Sequence, residues 1–219
     1  MVAKALPLVS LETRADRWLL GTYFALMVYL IVPAAALFHE GAHALGYLLA
    51  GYPVRGVFIS PFMSQVLGLY PVGLSPQQGW TSAAGPLGGL LFGYLAAWLC
   101  LGKRRSWGLW GDTALVMATW VLMVEPGYLI NGSLANFGDP QQVAVHLGIS
   151  RWVVFAVGVV LVLANARLIQ RAFARWMDTF APGANRRRLR PVLGVFILVT
   201  VLISIPYWIP IMSYVGRSG

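Results

Sequence analysis

Long apolar runs, separated by short segments that carry most of the charges, dominate this chain. The first run, 18–38, contains no charged residue, and further runs follow at about 81–101, 108–130, 151–170 and 191–215. These lengths reach or exceed the roughly 18 apolar residues that are typical of a transmembrane helix. The pattern predicts an all-α polytopic membrane protein with about five to six transmembrane helices.

Helical character continues past the end of the first uncharged run, until Gly51 and Pro53 stop it. At about 1.5 Å per residue, a helix over 18–50 would be about 50 Å long, which is longer than a bilayer core. We therefore expect this helix to tilt, to kink near Pro33, or to emerge from the membrane at one end.

The segment between the first two helices has a different character. Its stretches 52–59 and 66–72 are short, rich in β-prone residues and interrupted by Gly and Pro. They predict short strands or a re-entrant hairpin. Non-helical backbone at membrane depth is tolerated only where it contacts protein or a water-filled cavity. We therefore expect this segment to contact other parts of the protein or to line such a cavity.

Small residues recur at four-residue spacing on the first two predicted helices. The stripe on the second helix consists of Gly85, Gly89 and Gly93, and the stripe on the first consists of Ala42, Gly46 and Ala50. Small residues let helix backbones approach closely, so we expect the two stripes to pack against each other.

The composition agrees with a membrane-embedded protein. Of the 219 residues, 58% are hydrophobic and only 11% are charged, and the mean hydropathy is +0.71. These values exclude a soluble globular domain. We predict one domain over 1–219, with its core at about 18–140 and C-terminal helices within 151–215. The single cysteine, Cys100, excludes an internal disulfide and a cysteine-based zinc site.

The net charge of +9 is compatible with nucleic-acid binding, but the distribution of the charges argues against it. The basic residues flank the apolar runs, as they do in proteins that obey the positive-inside rule. If the N-terminus is cytosolic and five spans alternate, only three of the 16 Lys and Arg residues lie outside: Arg55, Arg151 and Arg217. The end of the first helix, the start of the second and the loop 131–150 then share the non-cytosolic side, where they could meet.

An H-E-x-x-H motif at 39–43 lies at the end of the first apolar run. On a helix, His39 and His43 share one face, where one Zn²⁺ can bind both imidazoles. Glu40 is placed to act as a general base. Because titratable side chains are costly at membrane depth, their presence indicates a function or a partner.

A catalytic zinc site usually has three protein ligands, so a third ligand is expected. Asp139 is the first candidate because it lies in the loop predicted to share the side of the motif. An Asp-Pro step is also a common turn or helix cap, and Glu125, Asp112 and His146 remain alternatives. The other acidic residues lie in basic flanks, where they are expected to pair with solvated charges: Glu12, Asp16 and Asp178.

These residues resemble the site-2 protease family of intramembrane zinc metalloproteases, in its small bacterial or archaeal form. The resemblance covers roughly 18–140 and rests on the motif at 39–43, on the β-like segment, and on Ala84-Gly85-Pro86, which is similar to the Gly-Pro element of the family. It implies that Asp139 is the third ligand, that Gly85 and Pro86 contact the substrate, and that the chain is a multi-pass protein of a prokaryotic cell membrane.

Two positions depart from the pattern of the family and indicate a divergent subgroup. Gly89 stands where the family often has Asn, and Pro140 stands where it often has Gly. The resemblance also implies a site nearer the cytosol, whereas the charge distribution places the motif on the opposite side.

The resulting hypothesis is a zinc metalloendopeptidase that cleaves peptide bonds in or near membrane-spanning segments of protein or peptide substrates. His39, His43 and Asp139 would hold Zn²⁺, and Glu40 would transfer a proton from water to the leaving amine. The alternative is a non-proteolytic metal-binding membrane protein with a regulatory or transport role. The two hypotheses differ at Glu40, because only the protease needs a base.

Overall fold

The structure is a computed structural model that describes residues 12–59, 64–68, 73–102, 107–180, and the helical positions 191, 192, 195 and 198. Its helices and strands, in chain order, are α1 (Arg14–Leu49), β1 (Val54–Phe58), β2 (Gln65–Gly68), α2 (Pro76–Leu101), α3 (Gly108–Ala118), α4 (Val121–Ala135), α5 (Gly138–Leu147) and α6 (Arg151–Phe180).

The first predicted helix is confirmed, and it begins a few residues before the apolar run. Thr13 caps α1 by accepting a hydrogen bond from the Asp16 backbone N–H at 3.0 Å, and Asp16 accepts from the Thr13 N–H in return. The 36-residue helix continues through Pro33 and ends before Gly51, whose φ of +77° terminates it. At about 1.5 Å per residue, α1 is about 54 Å long and extends well beyond a bilayer core.

The β-like segment is a two-stranded antiparallel hairpin. Val57 of β1 is opposite Val66 of β2, and both strands contact α1. Gly68 lies directly on the Tyr47 ring of α1, because a Cβ atom on Gly68 would be 2.5 Å from Tyr47 Cδ1 and closer still to Cε1 and Cζ. The hairpin is therefore held against the end of α1 that carries the motif.

The two small-residue stripes do not pack against each other as predicted. Gly85 faces α1, but a Cβ atom on Gly89 or Gly93 would meet Glu125 or Leu122 of α4 instead. Each four-residue step advances about 40° around a helix of 3.6 residues per turn, so the stripe winds from one neighbour to the next. The tight α1–α2 contact is made at Gly88, whose Cβ would lie 2.6 Å from Ala42 Cβ.

The remaining helices differ from the prediction mainly at their ends. α2 begins at Pro76 instead of 81, because proline suits the first helical turn, and α6 extends to Phe180 instead of 170. α3 and α4 form one span that is interrupted by a turn at Thr119 and Trp120. The predicted loop 131–150 contains a further helix, α5, between left-handed residues at both of its ends.

Among the described residues, four helices are long and apolar enough to cross a membrane: Arg14–Leu49, Pro76–Leu101, Gly108–Ala135 and Arg151–Thr179. They correspond to the first four predicted spans. Large apolar side chains on their outer surfaces are exposed, such as Leu30, Leu91 and Leu163. The fifth predicted span, 191–215, lies mostly outside the described residues, although Val192 packs into a cluster with Leu20 and Trp176. No observation tests the predicted domain limits.

Candidate metal centre

Three segments that are far apart in the sequence meet at one end of α1. Helix α1 contributes His39, Glu40 and His43. Helix α2 contributes the helical turn around Gly85, and α5 contributes Asp139, its second residue. The prediction that the motif, the start of the second span and the loop after the third would converge is therefore confirmed for the described residues. Their position relative to the two sides of a membrane stays a prediction.

The three candidate ligand atoms form a nearly equilateral triangle. His39 Nε2, His43 Nε2 and Asp139 Oδ2 lie 3.2 Å from one another. A tetrahedral ion with bonds of about 2.0–2.1 Å separates its ligand atoms by about 3.3 Å. The three side chains could therefore hold a metal ion with little movement.

Gly85 leaves the space that such an ion requires. A Cβ atom on Gly85 would lie 2.7 Å from His39 Nε2 and closer still to His43 Nε2. A methyl group would thus occupy the position from which a cation reaches both imidazoles. The absence of a side chain at 85 therefore leaves room for an ion at the ligand triangle.

Both imidazoles are held from behind by hydrogen bonds at Nδ1. His43 Nδ1 donates to the backbone carbonyl of Thr81 at 2.7 Å, and His39 Nδ1 donates to the Glu125 carboxylate, whose two oxygens lie 3.1 and 3.2 Å away. A neutral imidazole that is protonated at Nδ1 presents a lone pair at Nε2. Each Nε2 can therefore offer a lone pair to a cation in the ligand triangle, as metal-binding histidines do, or carry a second proton that it donates to Asp139.

Asp139 is fixed by Tyr128 of α4. The Asp139 backbone N–H donates to the Tyr128 hydroxyl at 3.0 Å, and this hydroxyl donates to Asp139 Oδ2 at 3.3 Å. Gly138, at φ +67°, allows the chain to pass close to the hydroxyl. Burial would raise the pKa of Asp139, but hydrogen bonding to the imidazoles of His39 and His43 outweighs burial and holds this pKa well below its usual range. The carboxylate is thus ionised and available as a ligand.

Glu40 lies in the wall of a cavity of about 730 Å³ that also contains the three candidate ligands. The residue is only 6% exposed, and its carboxylate lies beside the backbone N–H of Val66 in β2. The cavity follows one face of α1 from Val32 to Tyr47, and its wall is otherwise mostly apolar. A buried acid therefore shares a concave, partly apolar space with the candidate metal ligands, as in many catalytic sites.

The alternative third ligands have other partners in the structure. Glu125 lies on the Nδ1 side of His39, away from the ligand triangle. Asp112 accepts a hydrogen bond from the Trp107 backbone N–H at 3.1 Å at the start of α3. His146 accepts from the Ser75 N–H and donates to Gln142, which connects α5 to the start of α2. Among these candidates, only Asp139 reaches both histidine Nε2 atoms.

Two residues that hold the candidate ligands in place, Thr81 and Tyr128, were not predicted from the sequence. Thr81 acts through its backbone carbonyl, which no side-chain pattern reveals, and Tyr128 acts through its hydroxyl, although it belongs to no recognised motif. The spacing of three residues between Glu125 and Tyr128, which places both on one helix face, was an available signal. The predicted substrate contacts of Gly85 and Pro86 stay predictions.

The chain matches no protein-family model, no curated protein and no solved structure. The chemistry of the cavity is therefore inferred from the residues that surround it. Three carboxylates surround two imidazoles between apolar helices, and a divalent cation would offset two of the three negative charges.

Proposed function

We propose that this chain is an intramembrane zinc metalloprotease, similar to the site-2 protease family, that hydrolyses peptide bonds in or near transmembrane segments. The observation that carries the proposal is the position of Glu40. It is a buried acid that shares a cavity with two histidines and an aspartate, between helices long and apolar enough to cross a membrane. A hydrolytic metal site needs a general base such as Glu40, whereas a site that only stores or senses a metal does not.

The donor set favours zinc among the common metals. Two imidazole nitrogens and one carboxylate oxygen, spaced for tetrahedral geometry, match the ligands of catalytic zinc sites in hydrolases. Three protein ligands leave the fourth position for water or substrate, whereas structural zinc sites are closed by four protein ligands.

Bound zinc would supply a Lewis acid that lowers the pKa of a water molecule to about 7 and polarises the scissile carbonyl. Glu40 then removes a proton from the attacking water and delivers it to the leaving amine. The N–H of Val66 beside the Glu40 carboxylate keeps this base oriented toward the cavity. The mostly apolar walls lower the polarity of the surroundings, which strengthens each of these electrostatic interactions.

The hairpin suggests how a substrate binds. Gln65 and Val66 of β2 line the cavity, and β2 pairs with β1 along only one edge among the described residues. An extended substrate segment that pairs with the other edge of β2 would pass beside Glu40. Since the peptide bonds of a helix are shielded by their own hydrogen bonds, a transmembrane substrate has to unwind first. Gly and Pro in the substrate ease that step.

The test uses the full chain in liposomes with a single-pass reporter peptide that carries a Gly-Pro pair and a fluorophore on each side. We expect zinc-dependent cleavage by the wild type. Glu40→Gln should retain zinc but lose cleavage by roughly 10²–10⁴-fold, the usual contribution of a general base. Asp112→Asn makes the same chemical change outside the cavity and should cleave normally. Cleavage by Glu40→Gln at the wild-type rate would refute the mechanism, and zinc binding without cleavage by the wild type would favour the non-proteolytic alternative.

A further inference from the structure

We propose that Glu125 is the positioning residue for the metal ligand His39, and that Gly89 on the neighbouring helix is there to admit its carboxylate. The inference rests on the proposed metal centre. Both oxygens of Glu125 take His39 Nδ1 as their partner, at 3.1 and 3.2 Å, while His39 Nε2 faces Asp139 and His43. Glu125 thus holds the back of the ring whose front carries the ligand atom.

Glu125 lies in surroundings that are unfavourable for a carboxylate. It is 7% exposed, in the middle of an apolar span, and its hydrogen bonds within the described part of the chain go to His39. Burying a carboxylate between apolar helices is costly unless it is paired, so its partner accounts for its presence. Removing Glu125 would leave the Nδ1 donor of His39 buried without an acceptor.

Gly89 of α2 provides the space for this carboxylate. A Cβ atom on Gly89 would lie 2.7 Å from Glu125 Cγ and closer still to the carboxyl group. Gly89, which stands where the resembled family often has Asn, is therefore the residue that faces the buried carboxylate of Glu125. Gly89 and Glu125 form a matched pair, because any side chain at 89 displaces the carboxylate from His39.

The two metal-binding histidines are consequently supported in different ways. His43 donates to a neutral carbonyl, that of Thr81, whereas His39 donates to a charged carboxylate. A carboxylate partner fixes the tautomer and ring orientation and also raises the basicity of the coordinating nitrogen. His39 should therefore be the stronger of the two imidazole ligands, and its contribution should depend on Glu125.

A double-mutant cycle on the purified full chain in detergent tests this inference. Zinc affinity is measured by competition with a chromophoric chelator, without reference to proteolysis. Glu125→Ala should weaken zinc binding by roughly 10–100-fold, and Glu125→Gln, which keeps an acceptor but no charge, by less. In a His39→Ala background, Glu125→Ala should cause no further loss, whereas in a His43→Ala background the loss should persist. Gly127→Ala on the same helix, where a Cβ atom meets nothing within 4 Å, is the control.

Two results of the affinity measurements would overturn the inference. Equal losses in the His39→Ala and His43→Ala backgrounds would show that Glu125 does not act through His39, and wild-type affinity in Glu125→Gln and Glu125→Ala would show no role. If Glu125→Ala does not fold, the same cycle is run with Glu125→Gln. In Glu125→Gln, the cobalt-substituted protein should keep the absorption bands of tetrahedral cobalt. A shift of these bands would show that a ligand of the ion has been replaced, and Glu125 would then be a direct ligand. Because only metal binding is measured, failure of this inference is distinct from failure of the proteolytic function.

Discussion

Gly85 of α2 faces Nε2 of His43 so closely that a methyl group on Gly85 would fill the space between the two ligand imidazoles. We expect Gly85→Ala to weaken zinc binding by more than roughly a hundredfold, beyond the usual range for changes outside the ligand set. Folding should survive, since alanine is favoured over glycine in a helix by about 1 kcal/mol and the imidazoles can rotate. Zinc content after dialysis and the thermal unfolding of the metal-free protein measure the two effects.

Gly41→Ala is the matched control, because Gly41 lies inside the motif and a Cβ atom there meets nothing within 4 Å. This variant should bind zinc like the wild type. Stoichiometric zinc in Gly85→Ala would mean that the ion does not bind within the triangle of His39, His43 and Asp139.

The Tyr128 hydroxyl holds Asp139 through two hydrogen bonds, one with the backbone N–H and one with the carboxylate. Tyr128→Phe removes both and leaves the ring in place. A hydrogen bond to a charged group contributes about 1.5–3 kcal/mol, so we expect zinc affinity to fall by roughly tenfold or more. Tyr94→Phe is the control, since its hydroxyl donates to Asn165 at 2.8 Å, away from the ligands. Equal affinities of the two variants would show that Asp139 needs no support from Tyr128.

Local patterns in the sequence were sufficient to predict the first four spans and the pairing of the two motif histidines. The spacing of His39 and His43 and the hydropathy of α1 depend only on neighbouring residues, and both predictions agree with the structure. Asp139 required the further assumption that the spans alternate, which brought its loop to the end of α1 that carries the motif. The short helix α5 was missed as a definite element because ten residues with a turn at each end resemble a loop.

Other parts of the site depend on how the helices dock, which hydropathy does not report. The carbonyl of Thr81 is equivalent to any other backbone carbonyl until α2 packs against His43. The glycine stripe on α2 was recognised, but the prediction that it packs only against α1 was wrong, because the stripe winds from α1 to α4. The role of Glu125 was similarly undetermined, since an acid in an apolar span can bind a metal or support a ligand.

The contact between Gly68 and the Tyr47 ring links the hairpin to the end of α1 that carries the H-E-x-x-H motif. Gly68→Ala should push β2 away from α1 and so misplace the strand edge beside Glu40. We expect cleavage of the reporter peptide to fall by roughly tenfold or more, because small misplacements of a substrate are costly. Zinc content should not change, since neither residue supplies a ligand atom. In the control, Gly56→Ala in β1, the new Cβ meets nothing within 4 Å. A cleavage defect of equal size in both variants would argue against a specific role of β2.

The charge distribution and the family resemblance give opposite predictions for the side of the membrane on which the metal centre lies. Arg14 and Arg17 lie in the first turn of α1, and the motif lies near its other end, so a cytosolic N-terminus places the centre outside. In a Cys100→Ser background, we expect Ser150→Cys, in the segment between α5 and α6 that is predicted to share the side of the centre, to react with a membrane-impermeant maleimide in intact cells. Ala15→Cys, at the start of α1, should react only after permeabilisation, and both positions are exposed in the structure. The reverse labelling pattern would place the centre at the cytosolic side, and the basic flanks would then not determine the orientation of this chain.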